Sequence, residues 1–134
     1  MPADFAVCSL GLMPITVYVI DPDPDERTWI QSALAPIADA VVVLDDGAAL
    51  VARPPACEGA CLVASAEPDK AATLKLVREL RGRGVMLPVI VLGPHSAFRT
   101  AVDIARLEAT DFLERPVTAR QLRAAVSRVC PAAK

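Results

Sequence analysis

Five short apolar blocks punctuate the chain: Ile15–Ile20, Ala40–Leu44, Cys61–Ala64, Pro88–Leu92 and Asp111–Leu113. Within each block the apolar residues run on instead of alternating with polar ones. A continuous run is what a strand needs when both faces are covered, and such strands build parallel sheets. The last block is short and suits a sheet edge.

Helix signals fill the gaps. Asp23 precedes Pro24 and Asp25-Glu26, which places Asp23 at an N-cap, Pro24 at the first helical position and Glu26 at the third. That helix turns Trp29, Ile30, Ala33 and Leu34 inward and stops near Pro36. Asp46-Gly47 introduces a short helix that ends before Pro54-Pro55. Asp69 caps a longer one, with Leu74, Val77 and Leu80 on one face, closed by Gly82 and Gly84. Ser96 opens a fourth, with Ala101, Val102 and Ala105 at helical spacing. Thr118 and Gln121 form a capping box for the last, which carries Leu122, Ala125, Val126 and Val129. Five strand–helix units in strict alternation predict an α/β, three-layer (βα)5 sandwich around an open parallel sheet.

A chain of 134 residues makes one domain. We divide it into an extension at 1–14, the domain at 15–130 and a tail at 131–134. The 54% hydrophobic content excludes intrinsic disorder, and only 4% of residues are aromatic, so the core is aliphatic. No apolar run nears the ~18 residues of a membrane span; Val85–Leu92 is broken by Pro88. Met1–Pro14 has no Lys or Arg, unlike the basic flank of an export signal. Four cysteines without an export signal are expected reduced, which points to the cytoplasm. Met1 favours a stand-alone domain. With a net charge of −2 the chain is a poor nucleic-acid ligand.

Ligands of such sheets bind beyond the carboxyl ends of the strands. Asp21-Pro22-Asp23, Asp45-Asp46, Ser65-Ala66-Glu67, Gly93-Pro94-His95-Ser96 and Glu114-Arg115-Pro116 follow the five strands there. Three stretches, Val17–Asp21, Pro88–Leu92 and Asp111-Phe112-Leu113-Glu114-Arg115-Pro116, resemble the CheY-like receiver domain of two-component response regulators, of the FixJ type. The resemblance covers 15–130 and implies the flavodoxin-like strand order 2-1-3-4-5. It also implies phosphotransfer from a kinase histidine to an Asp after the third strand. That chemistry needs Mg2+ on an acidic pair, a Lys, and a Thr or Ser that bonds the phosphate.

Carried over by position, the phosphoacceptor falls on Ser65, which cannot form an acyl phosphate. The acidic pair falls on Asp21 and Pro22, the switch hydroxyl on Gly93, and the Lys on Arg115. Phe112 retains the aromatic that reports the switch. The nucleophile, a metal ligand and the sensing hydroxyl are lost together. We therefore expect a degenerate phosphorylation pocket, a pseudo-receiver, without a cofactor. A Glu67–Arg115 ion pair is expected to replace phosphate and Lys. One histidine, His95, no Gly-rich phosphate loop and no paired nucleophile and base argue against an enzyme.

A second constellation is Cys8, Cys57, Cys61 and Cys130, which the inferred fold gathers at one end of the sheet. Four thiolates suit Zn2+ or an iron–sulfur cluster, although the Cys57-x-x-x-Cys61 spacing matches neither usual pattern. From Arg115 to Lys134 there are five basic residues and no acid, whereas the early strand ends are acidic. In the resembling family the fourth helix, fifth strand and fifth helix form the output face. Here it would present Arg106, Arg120 and Arg123 to an acidic protein surface instead of DNA. The expected function is phosphorylation-independent protein binding: contact with or inhibition of a sensor histidine kinase, or homodimerisation, with no membrane partner. The alternatives are a cysteine-ligated metal or redox sensor on the same fold, and an atypical but still phosphorylatable receiver.

Overall fold

A computed structural model of the chain describes residues 15–55, 59–65, 70–94 and 111–130. The extension 1–14, the tail 131–134, Cys8, Cys57, Ala66, Glu67, the Asp69 cap, His95, the helix opening at Ser96 and Arg106 lie outside the described residues.

The elements run β1 (Thr16–Ile20), α1 (Pro24–Leu34), β2 (Ala40–Leu44), α2 (Ala48–Ala52), β3 (Ala60–Ser65), α3 (Lys70–Gly82), β4 (Val89–Gly93), β5 (Asp111–Glu114) and α4 (Ala119–Val129). The sheet is parallel throughout, in the order β2-β1-β3-β4-β5. This is the expected flavodoxin-like order.

The continuous apolar runs do what a doubly covered sheet requires. In β3, Cys61 and Val63 join one core while Leu62 and Ala64 join the other. In β4, Ile90 and Leu92 face the first core and Val89 and Val91 the second. The first core is completed by Ile30 and Leu34 of α1 and Leu122, Ala125 and Val126 of α4. The second is completed by Leu50 of α2 and Leu76, Val77 and Leu80 of α3. Removing this aliphatic area from water drives the fold at about 25 cal/mol per Å2.

Local signals set the helix ends. Asp23, in extended conformation, accepts the Asp25 N–H at 2.9 Å, and Pro24 follows. At α4 the Thr118 hydroxyl accepts the Gln121 N–H at 3.1 Å, while Gln121 Oε1 accepts the Thr118 N–H at 2.9 Å. At α2 the cap residue is Gly47, and Asp46 accepts the Ala48 N–H at 2.9 Å.

Three expectations need correction. β2 is not buried on both faces: Ala40 is exposed and Val42 is 37% exposed. It is an edge strand, and the helix that follows it, α2, has only five residues to cover it. β3, β4 and β5 each run one residue further than the apolar blocks. Ser65, Gly93 and Glu114 therefore end strands instead of following them, because backbone pairing continues past the last large apolar side chain. Trp29 is only half-buried, packed at the margin of the first core.

Candidate functional site

The strand register brings the expected pocket residues to one level. Ile20 lies opposite Ala64, so Asp21 and Ser65 follow side by side. Ser65 lies opposite Leu92, and Gly93 opposite Glu114. The Arg115 N–H then donates to the Gly93 carbonyl at 2.9 Å, which carries the chain over the pocket. Thr73, buried at the start of α3, donates its hydroxyl to the Ser65 carbonyl at 3.0 Å.

Arg115 is the centre of the arrangement. Its Nη2 donates to Ser65 Oγ at 3.0 Å, forms a close ion pair with Glu26 and lies 3.8 Å from Asp21 Oδ2. Asp21 is 3% exposed. Its Oδ1 accepts the Asp23 N–H at 2.9 Å, and Arg27 donates to its backbone carbonyl. Among the described residues the acid paired with Arg115 is Glu26; the expected partner Glu67 lies outside the described residues.

Glu26 is the third residue of α1, as its spacing from Asp23 implied. Asp23 caps the helix alone, through Asp25, and the Glu26 side chain leans across to Arg115. Burial pushes its carboxyl up to about 7, with a further contribution from a hydrogen bond and charge repulsion at Asp21; Arg115 opposes the shift. Two carboxyls thus meet one guanidinium, and Glu26 keeps its proton well above the ordinary carboxyl range. No local spacing reveals this role, because Glu26 meets Arg115 only once β1 and β5 are in one sheet. A groove of about 490 Å3 opens beside the cluster, lined by Glu26, Trp29, Leu92, Arg115, Pro116 and Val117.

The remaining candidates fall into place less uniformly. Pro22 is exposed and offers no carboxylate. Phe112 is half-buried against the second core. Arg120 is exposed on α4. Arg123 is not a free element of a docking face: it turns inward and donates to the Ala33 carbonyl at 3.1 Å, at the end of α1. The reason is that α4 packs beside α1, whose last carbonyls need donors. Cys61 and Cys130 are buried together in the first core. Among the described residues no group of three or more His, Cys, Asp or Glu is placed to hold a metal ion. No described helix is long and apolar enough to cross a membrane.

The transcriptional regulatory protein FixJ of Azorhizobium caulinodans is 31% identical over 112 residues, which is 84% of this chain and 53% of FixJ. FixJ of Bradyrhizobium diazoefficiens is 27% identical over 122 residues, 88% of this chain and 60% of that protein. A response regulator receiver protein from Pseudoalteromonas atlantica superposes with a TM-score of 0.72 at 26% identity, over 85% of this chain and 95% of that one. The chain is a response-regulator receiver domain of the FixJ type. Full-length FixJ from B. japonicum gives a TM-score of 0.74 at 26% identity, over 85% of this chain and 56% of that one. The receiver thus spans little more than half the length of the curated relatives it matches. No family model matches it.

The receiver fold implies Mg2+ at this end of the sheet, and the donors among the described residues do not fit it. Asp21 offers one carboxylate, with Oδ1 already hydrogen-bonded to the Asp23 N–H. Pro22 offers no side-chain donor, and Ser65 offers a neutral hydroxyl that accepts from Arg115. The guanidinium lies 3.8 Å from Asp21 Oδ2, the carboxylate's other oxygen. Hard divalent cations favour several anionic oxygens and are repelled by a cation already in place.

Proposed function

We propose that this receiver domain works without phosphotransfer and acts by protein–protein contact in two-component signalling, binding or inhibiting a sensor histidine kinase or pairing with itself. The observation that carries the reading is Arg115. Its guanidinium bonds Ser65, the residue at the phosphoacceptor position, and is held by Glu26 beside buried Asp21. A serine ester is a different species from an acyl phosphate and lacks its high transfer potential. With Gly93 at the switch position there is no hydroxyl to follow a phosphate. The pocket is then a permanently closed charge cluster, and the conformation it supports does not wait for a phosphoryl group. A non-enzymatic signalling role follows.

The test is incubation of the full chain with Mg2+ and acetyl phosphate, followed by intact-mass spectrometry and Trp29 fluorescence. We expect no phosphoryl adduct and no Mg2+-dependent change in emission, since Trp29 lines the groove beside Arg115. A stoichiometric, hydroxylamine-sensitive acyl phosphate overturns the reading and supports an atypical but active receiver. Sedimentation across a concentration series separates self-pairing from binding to another protein.

A further inference from the structure

β2 is an outer strand of the sheet. It is bonded to β1 on one side, and among the described residues no strand pairs with its other side. The Ala40 N–H donates inward, to the Ile15 carbonyl at 3.2 Å. Backbone groups alternate in direction along a strand, so the N–H and C=O of Val41 and Val43 point outward. Sheet edges are ordinarily guarded by a charge, a proline or a bulge within the strand. Ala40–Leu44 has none of these: it reads Ala-Val-Val-Val-Leu, in unbroken register with β1. Ala40 is exposed and Val42 is 37% exposed, since the five-residue α2 leaves that face open.

The charges stand at the two ends instead. Asp39 precedes the strand and Asp45-Asp46 follow it, and all three are exposed. Asp39 accepts the Ile15 N–H at 2.6 Å and Asp46 the Ala48 N–H at 2.9 Å. Neither has an ion-pair partner among the described residues. Asp45 has only Arg27, at 3.9 Å. The edge is an apolar row of outward backbone groups with negative charge at both ends.

We propose that the β2 edge takes an extended segment of another protein as a sixth, antiparallel strand, apolar at its centre and basic at both ends. Antiparallel pairing lets Val41 and Val43 each exchange two N–H···O=C bonds with the residue opposite. Val42 then meets an apolar side chain across the closer, non-hydrogen-bonded pair. Asp45 is six positions after Asp39, so cations six apart on the incoming strand reach both. A second copy of this chain fits worse. Two β2 strands paired antiparallel through Val41 and Val43 put Asp39 of each copy opposite Asp45 of the other, and like charges directly opposite destabilise a ladder. The inference rests on the reading of the chain as a protein-binding module. Its test uses neither Mg2+ nor acetyl phosphate, so it can fail while the reading of the pocket stands.

The probe is the blocked peptide Arg-Thr-Val-Val-Val-Thr-Arg, titrated at low salt into the isotope-labelled full chain and followed by NMR. We expect saturable amide shifts centred on Ala40–Leu44. Hydrogen exchange should slow at the Val41 and Val43 amides, which exchange freely in the chain alone. Methylating the peptide nitrogens opposite Val41 and Val43 removes two donors and should abolish the shifts. Glu in place of both peptide arginines should weaken binding about tenfold, and Asp39→Asn or Asp45→Asn about threefold each. Val42→Lys puts a cation in mid-strand and should abolish binding; the site is exposed, and an unchanged spectrum elsewhere shows that the fold holds. The proposal is overturned if millimolar peptide leaves β2 unshifted, or if the methylated or acidic peptide binds as well. It is equally overturned if the Val41 and Val43 amides are already protected in the free chain, or if sedimentation shows a dimer that Val42→Lys dissolves, because the edge then belongs to this chain or its second copy.

Discussion

Replacing Glu26 by Gln should remove a pH dependence of folding that the pocket builds in. In the folded chain the Glu26 carboxyl sits at about 7, against 4.5 in its ordinary state. Between those two values the folded protein holds a proton that the unfolded chain has lost. Stability therefore falls as pH rises through that window and levels off above it. A carboxyl moved that far corresponds to at most about 3.4 kcal/mol. The Glu26 side chain is 24% exposed, and solvent screening reduces the figure to about 1–2 kcal/mol. The assay is urea unfolding at a series of pH values from 5 to 8, followed by Trp29 fluorescence. The parent should lose about 1–2 kcal/mol more than Glu26→Gln across the series. Gln keeps an oxygen for Arg115, so the variant should fold. If the parent instead gains stability relative to the variant as pH rises, the ion pair to Arg115 outweighs burial and Asp21, and the reasoning fails. Parallel profiles would refute it as well.

Two further outcomes bear on the helices that frame the site. Thr118→Ala removes half of the capping box and should lower unfolding stability by about 1 kcal/mol, read as a shift in urea midpoint at constant slope. Arg123→Ala should cost about 1 kcal/mol through the lost bond to the Ala33 carbonyl, whereas Arg120→Ala, on the exposed side of α4, should stay within about 0.5 kcal/mol of the parent.

The sheet was legible because its signal is local and redundant. β3 and β4 are apolar on both faces over Ala60–Ala64 and Val89–Leu92, so any window there gives the same answer. β2 reads as apolar too, yet lies at an edge, since strand order is a property of the whole sheet and no residue in Ala40–Leu44 carries it. The Thr118 cap was readable for the reason the strands were: donor and acceptor are three residues apart. Asp21, Ser65, Gly93 and Arg115 were placed by their positions after strands, and they do converge. Glu26 was not, because an acid at the third helical position has a sufficient local explanation. Its other role depends on an arginine 89 residues away. Arg123 failed in the same way: a basic residue on a final helix reads as solvated until a neighbouring helix end is seen to need a donor.

Charge arithmetic explains why an arginine suits this pocket once the third-strand residue is Ser65. Asp21 is almost wholly buried, and a buried carboxylate must find a counter-charge or take up a proton. Arg115 supplies one positive charge, and Asp21 with Glu26 supplies up to two negative ones. With Glu26 protonated the cluster is neutral, the state that burial favours, and burial is the main reason its carboxyl is pushed up to about 7. A lysine ammonium is a point charge, whereas a guanidinium can bond Ser65 and Glu26 while staying near Asp21. A phosphoryl group on Ser65 would add about −1.5 to −2 charges at neutral pH. It would compete with Glu26 and Asp21 for the same arginine. The closed cluster and an added phosphate are thus alternatives, and Arg115→Ala should loosen the first without creating a site for the second.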